Sequence, residues 1–357
     1  MSPITSRDFR SEIQQSPRSQ EALIGALEIS GFDPRKLHHE SARLRNALAQ
    51  ARESIAADLG VSPQNLEFVG ELGFGFWLGL AGLLNHSTEP FLYSTIDRQI
   101  IHAFAREQVG RKVIELPVSA TGKTIYEKGK ISRGAIVTWQ AANRETGIEQ
   151  PELDTSEIEL FADMTAIFNQ GKLPSNWSIA LWDPRNFAGP EGIAIVAISK
   201  NANWRSPIPN IDNRRTFGSN SSAAVIATAV ALRDWQAMLA KTEERLLELN
   251  QLTRRLLRER LPGISIAGSE IGDPRRIALV VEGVIAEELL RRLEKVNFLI
   301  DAGSACSAAA LSPSHVLTAL GLGENGQIRL TLHDRQREAD ITELVDEIER
   351  TVRELRA

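Results

Sequence analysis

The sequence predicts an α/β protein. A large domain should carry a mostly parallel sheet flanked by helices, and a smaller α/β domain should follow at the C-terminal end. Continuous apolar, β-branched runs recur between residues 66 and 198 with helical patterns between them, as expected for parallel strands covered on both faces. Residues 222–260 are periodic and rich in Ala, Leu, Arg and Glu, which reads as one long or kinked helix leading out of that domain. Beyond Pro262 and Gly263 the pattern changes to shorter runs, so a second unit begins there.

The elements follow in order. After a polar opening over residues 1–20, residues 40–59 place Leu44, Leu48, Ala51, Ile55 and Leu59 at helical spacing, and Gly60 stops the helix. Strands are expected at 66–69 (LEFV), 91–95 (FLYST), 113–117 (VIELP), 135–139 (AIVTW), 158–163 (IELFAD), 178–182 (SIALW) and 193–198 (IAIVAI), with a helix over 99–109. In the tail, ISIAG, RIALVV, NFLI and QIRLTL read as strands, with a helix over 286–295 between the second and third. A last helix from about Asp340 has Asp340 and Glu343 in capping-box positions, and Ile341, Leu344, Val345, Ile348 and Val352 on one face. The expected division is a polar segment over 1–20, a large domain over 21–235, and a connecting helix with the small domain over 236–357.

Composition removes several function classes. The 357 residues are 42% hydrophobic and 24% charged, enough to bury a sizeable core. A formal net charge of −5 argues against a large phosphate-binding surface, so nucleic acid is not an expected partner. The apolar run at 73–84 falls short of the roughly 20 residues of a spanning helix, and MSPITSRDFRSEIQQ lacks the apolar core of a signal peptide. A cytoplasmic protein without membrane contact is expected. The single cysteine, Cys306, excludes an internal disulfide framework and a Cys-rich metal site within one chain. The 6 histidines show no ligand spacing, with His38 and His39 merely adjacent, so no metal is expected. Trp77 reads as core packing.

Cys306 lies in DAGSACSAAALSPSHVL, a small-residue loop ahead of a helical pattern with Pro313 in its first turn. GSACSAAALSPSHVLTALGL followed by QIRLTL resembles the C-terminal signature of cysteine desulfurases, which are pyridoxal-phosphate enzymes of the class V aminotransferase group with the fold-type I architecture. GFDPRKLHHESARLRNALAQAR, NRETGIEQP at 143–151, FADMTAIFNQGKLP, FAGPEGIAIVAIS at 187–199 and RRTFGSNSSAAVIATAVAL resemble further segments of that family. They stand in the family's order along almost the whole chain. The resemblance implies a fold-type I large domain, a site built across a dimer, and pyridoxal phosphate held on a lysine.

Carried over by position, the resemblance makes Cys306 the thiol that accepts sulfur and Arg329 the group that grips the substrate carboxylate. It makes Asp163 the partner of the pyridine nitrogen, Asn143 a ring contact, and Gly218 with Ser219 a contact to the neighbouring subunit's phosphate. Taken alone, Asp163 also reads as a helix cap, Arg329 as an ion-pair partner, and Asn143 and Gly218 as turn residues. Departures from the family pattern are concentrated at the cofactor. Arg185 stands at the histidine position and Asn186 at the lysine position, where an amide cannot form an imine. Glu71, Leu72 and Gly73 occupy the phosphate-binding turn, and a carboxylate there repels phosphate. Arg98 stands at the stacking histidine and Ala166 at the glutamine near the ring oxygen. Neither Lys172 nor Lys200 is placed to substitute.

The expected function is therefore a cysteine desulfurase-like protein, catalytically degenerate, serving as a scaffold or regulatory subunit in sulfur transfer. Its expected partners are a second copy or an intact relative in a dimer, and a sulfur-acceptor protein. Two alternatives are an active pyridoxal-phosphate desulfurase giving alanine and a Cys306 persulfide, and a cofactor-free persulfide carrier.

Overall fold

The structure, a computed structural model, describes residues 6–127, 129, 131–153, 157–209, 215–216, 221–303 and 313–357. Strands β1 (Leu66–Val69), β2 (Phe91–Ser94), β3 (Val113–Leu116), β4 (Ile136–Gln140), β5 (Glu159–Asp163), β6 (Trp177–Trp182) and β7 (Ala194–Ile198) form one sheet in the order β1-β7-β6-β5-β4-β2-β3. From β3 through β2, β4 and β5 to β6 the pairs are parallel; β7 is antiparallel to both β6 and β1. Every residue of β4 and β7 is buried, which is why these runs are continuously apolar.

Helices cover both faces. One core joins α2 (His39–Leu59) and the start of α5 (Ser222–Arg260) to the sheet through Ile55, Leu59, Ala224 and Leu232. The other joins α3 (Leu72–Leu84) and α4 (Gln99–Arg106) through Phe76, Leu80 and Ile101. Trp77, expected as core, is half-buried and stacks on Phe74 with ring centroids 5.4 Å apart. By length and composition α5 could span a membrane, but its N-terminal part lies in the large-sheet core and Leu246, Leu249 and Leu257 lie in the next one.

That second core surrounds an antiparallel sheet, β10 (Asp301–Ala302), β11 (Gln327–Thr331), β9 (Arg276–Val281) and β8 (Ile264–Ile266), in that spatial order. α6 (Ala286–Lys295) and α8 (Glu338–Arg356) pack on it with Leu289, Leu293, Leu344 and Ile348, while the short α7 (His315–Ala319) follows the cysteine loop. Ser314 caps α7, so Pro313 precedes the helix instead of lying in its first turn.

Two expectations change here. NFLI does not form a strand of the small sheet. The N-terminal segment takes its backbone groups, with Leu299 N donating to Arg7 O at 3.0 Å and Phe9 N to Leu299 O at 2.7 Å. The last helix begins two residues early: Arg337 is its N-cap, and Asp340 is the third helical residue, accepting from Arg337 N at 2.9 Å. Asp340 also accepts from Ser6 Oγ, so tertiary contact as well as local pattern fixes its role.

The N-terminal segment ties the two sheets together. Phe9 is fully buried in the small-sheet core and its carbonyl accepts from Thr331 N at 2.7 Å. A few residues on, Ser16 N donates to Ala188 O at 2.9 Å and α1 (Pro17–Ser30) packs along α5.

Candidate functional site

In an open α/β sheet, ligands bind beyond the carboxyl ends of the parallel strands. Here Asp163 ends β5, the turn after β4 carries Asn143, and the short 3-10 turn Pro184–Phe187 after β6 carries Asn186. Arg98 is the N-cap residue of α4, and Arg329 comes from β11. A cleft of about 1270 Å³ has Arg98, Arg144, Thr165, Asn186 and Arg276 on its walls and residues of the N-terminal segment on one side; Asp163, Asn143 and Arg329 do not line it.

Asn186 is buried and fully engaged. Its Nδ2 donates to Ile167 O at 2.7 Å, its Oδ1 accepts from Arg275 Nη2 at 3.0 Å, and its carbonyl accepts from Arg275 Nη1 at 2.8 Å. Arg275 in turn grips Asp273 in a two-pronged pair, Nη2 to Oδ2 at 2.7 Å and Nε to Oδ1 at 2.9 Å. Its guanidinium lies 5.0 Å from the Phe168 ring centroid and 5.4 Å from that of Trp235. Burial alone would raise the Asp273 carboxyl, but the guanidinium groups of Arg275 and Arg276 outweigh it and hold it below the usual range. Arg185, next to Asn186, folds back on Asp183 at 2.8 Å.

Asp163 has both oxygens in use. Oδ2 accepts from Arg98 Nε at 3.1 Å, while Oδ1 accepts from the Thr165 amide at 2.9 Å and the Thr165 hydroxyl at 2.5 Å. Arg98 also donates to the Thr165 hydroxyl. The pattern is a local turn cap with an ion pair added, and the guanidinium that supplies the pair stands at the stacking-ring position. At the start of α3, Glu71 Oε1 accepts from Gly73 N at 3.1 Å. The protein's own carboxylate thus occupies the helix N-terminus where a phosphate would sit.

Asn143 organises the NRETG turn. Its Oδ1 accepts from the amides of Glu145 and Thr146 at 3.0 and 3.1 Å, and its Nδ2 donates to Ile96 O and Gln140 Oε1, each at 3.1 Å. Gly147, at φ +73°, closes the turn, and a Cβ there would stand 3.0 Å from Asp273 O. Arg329 is 7% exposed, with Nη1 4.0 Å from Glu145 Oε2. Its Nε and Nη2 are buried without a hydrogen-bond partner. Cys306, Gly218 and Ser219 lie outside the described residues.

The residues present do not fit pyridoxal phosphate. Position 186 has no amine, Glu71 fills the phosphate turn, Arg98 occupies Asp163, and position 166 is an alanine. Sequence reasoning brought Asp163, Arg98, Asn143 and Asn186 to one place but missed Asp273, Arg275 and Arg276. The available signal was DPRR immediately before the apolar run IALVV: two arginines entering a buried strand require buried counter-charges.

No protein-family model matches the chain. It is 25% identical over 363 residues to cysteine desulfurase IscS of Dictyoglomus turgidum, covering 94% of this chain and 91% of that protein. Among solved structures, a NifS-like protein superposes with a TM-score of 0.84 at 20% identity, over 96% of this chain and 98% of that one. A NifS-like protein from Rickettsia africae gives a TM-score of 0.80 at 18% identity, with the same coverage of both chains. The chain is thus a homologue, over nearly its whole length, of proteins named cysteine desulfurase, and its fold is that of the NifS-like fold-type I proteins.

Proposed function

We propose that this desulfurase-like chain has given up imine chemistry and serves as a scaffold or regulatory subunit in sulfur transfer. It would pair with a second copy or an intact relative and contact a sulfur-acceptor protein. The interaction that carries the reading is the Asn186–Arg275–Asp273 chain. A lysine at 186 would set an ammonium against the Arg275 guanidinium in a buried site, with Asp273 already claimed. The buried hydrogen bonds around Asn186 support this reading, as do Arg98 on Asp163 and Glu71 on Gly73, internal contacts at positions where the resemblance puts cofactor contacts.

Mixing the protein with pyridoxal phosphate, recording the visible spectrum, reducing with borohydride and mapping lysines by mass spectrometry tests this. The expected result is neither an aldimine band nor a labelled lysine; a specific adduct at one lysine would overturn the proposal. Cys306→Ser separates the scaffold from a persulfide carrier. A scaffold keeps its function in a complementation assay with the serine variant, whereas loss of function with intact assembly would assign the carrier role.

A further inference from the structure

We infer that α7 is docked on the large domain by an acid-sensitive latch: His102 of α4 and His315 of α7 hold the contact while His102 is neutral and release it when His102 takes up a proton. The two rings meet edge to face, with centroids 5.2 Å apart and planes at 83°. His315 makes the hydrogen bonds across the contact. Its Nε2 donates to Asp97 O at 2.9 Å, and its Nδ1 accepts from Gln99 Nε2 at 3.0 Å. A carbonyl only accepts, so Nε2 carries the proton, and with the Gln99 amide oriented this way the ring is neutral.

α7 bridges the two sheets. Leu317 packs with Ala278 and Val280 of β9, while His315 and the neighbouring Ser314, whose Oγ donates to Glu145 Oε2 at 2.5 Å, reach the large domain. The segment that carries Cys306 runs into α7 in the sequence, so the latch sets how firmly the C-terminal end of that segment is held.

His102 is bonded far less completely. Its Nδ1 stands 3.8 Å from Glu115 Oε1 on β3, and its Nε2 is buried without a hydrogen-bond partner among the described residues. The other groups facing the ring are Tyr93 on β2, edge to face with centroids 5.0 Å apart, Arg106 one turn on along α4, the Asp97 carbonyl and His315. α3, which also packs on α4, has no titratable side chain between Leu72 and Leu84. A neutral His102 can keep its single proton on Nδ1, toward Glu115. Protonation adds an N–H at Nε2, where the acceptor at hand, Asp97 O, already takes the proton of His315. Two imidazoles then compete for one carbonyl while a cation lies against the His315 ring.

Burial, reinforced by His315 and Arg106, holds His102 below the ordinary histidine value of 6.5 against the pull of Glu115 and the Asp97 carbonyl. The Glu115 side chain is 48% exposed, so water screens its attraction. A ring that gives up its proton more readily docked than free favours docking above about pH 6.5 and opposes it as pH falls through the lowered value. The Asp97 carboxyl, which burial pushes up to about 7, is held by Ser94 N, Thr138 Oγ1 and Gln140 Nε2. Its proton is common to the wild type and any variant of His102, so it drops out of their comparison.

Hydrogen exchange of the full chain, corrected for the intrinsic rate at each pH, tests the latch between about pH 7.5 and about pH 5. The reporters are the amides of Thr318, Leu320, Gly321 and Leu322, all bonded within the α7 turn. The expected result is about a tenfold loss of their protection on acidification, with β4 still protected. His102→Phe and His102→Gln cannot take up the charge and should hold that protection within about twofold. Circular dichroism identifies the variants that fold, and either one suffices. Carbon-13 labelling of the histidine rings, with the His102 signal assigned from a folded variant, should show His102 charging below pH 6.5 together with the loss of protection. Unchanged protection of the α7 amides in the wild type, an equal loss in a folded neutral variant, or a His102 ring that charges while protection holds would overturn the latch.

Discussion

Asn186 is a structural residue as much as a missing catalytic one. Asn186→Ala would strip partners from Arg275 and the Ile167 carbonyl and should cost about 1–3 kcal/mol in chemical denaturation. Asn186→Lys should cost more, about 3 kcal/mol or above, by placing an unpaired cation beside Arg275. It should not restore an aldimine band, because Glu71 and Arg98 still fill the cofactor's other contacts. Two buried groups near the cleft give opposite pH signatures. Burial pushes the Asp97 carboxyl up to about 7, so it binds a proton in the fold that the unfolded chain has lost. Its contribution is present below about pH 4 and disappears as pH rises through 7. Burial, reinforced by Arg335, takes His333 down to about 4, so its contribution is present above about pH 6.5 and disappears as pH falls through 4. In the wild type the two slopes offset each other. Asp97→Asn should expose the histidine slope, with unfolding free energy rising between pH 4 and 6.5 by at most about 1.4 kcal/mol per pH unit. A variant with an unchanged pH profile would refute this.

Helix α3 shows what patterning reveals and what it hides. GFGFWLGLAGLL reads in the sequence only as an apolar run, and its glycines look like weak points for the helix it forms. They are contact points: a Cβ on Gly79 would stand 2.5 Å from the Phe161 ring and 2.9 Å from Ile179, and one on Gly75 would stand 2.6 Å from Leu181. Gly79→Ala should therefore destabilise the protein by about 1–3 kcal/mol despite the better helix propensity. Thermal unfolding that rises would contradict the packing. The strands of the large sheet were legible because double-sided burial writes itself as unbroken apolar runs. NFLI was misread because an apolar run can also satisfy its backbone outside the sheet, here on the N-terminal segment, a partner about 290 residues away. The cap of α8 was misread by one turn for a related reason, since Arg337 and Ser6 together assign Asp340 its place.

At the scale of the molecule, α5, the N-terminal segment and the Arg275–Asn186 pair hold the two sheets in register around the cleft. Phe9 is the anchor of the second of these. Phe9→Ala should cost about 3–5 kcal/mol. It should also speed hydrogen exchange at the Phe9 and Thr331 amides, which bond to Leu299 O and Phe9 O, before it does so in β4 or β5. Exchange that accelerates uniformly across both sheets would show that the segment is no separate tie.

The sequence by itself determined the layer architecture, the strands of the large sheet, the long connecting helix and the identity of the residue at 186. Each of these is written in local periodicity or in a single side chain's chemistry. Only the tertiary structure decided what Asn186 is for, because its partner Arg275 is 89 residues away. It alone also placed Arg276 and Arg329 on one face of the small sheet. Strand register and the meeting of Arg275 with Asn186 are relations between distant segments, and no local pattern encodes them.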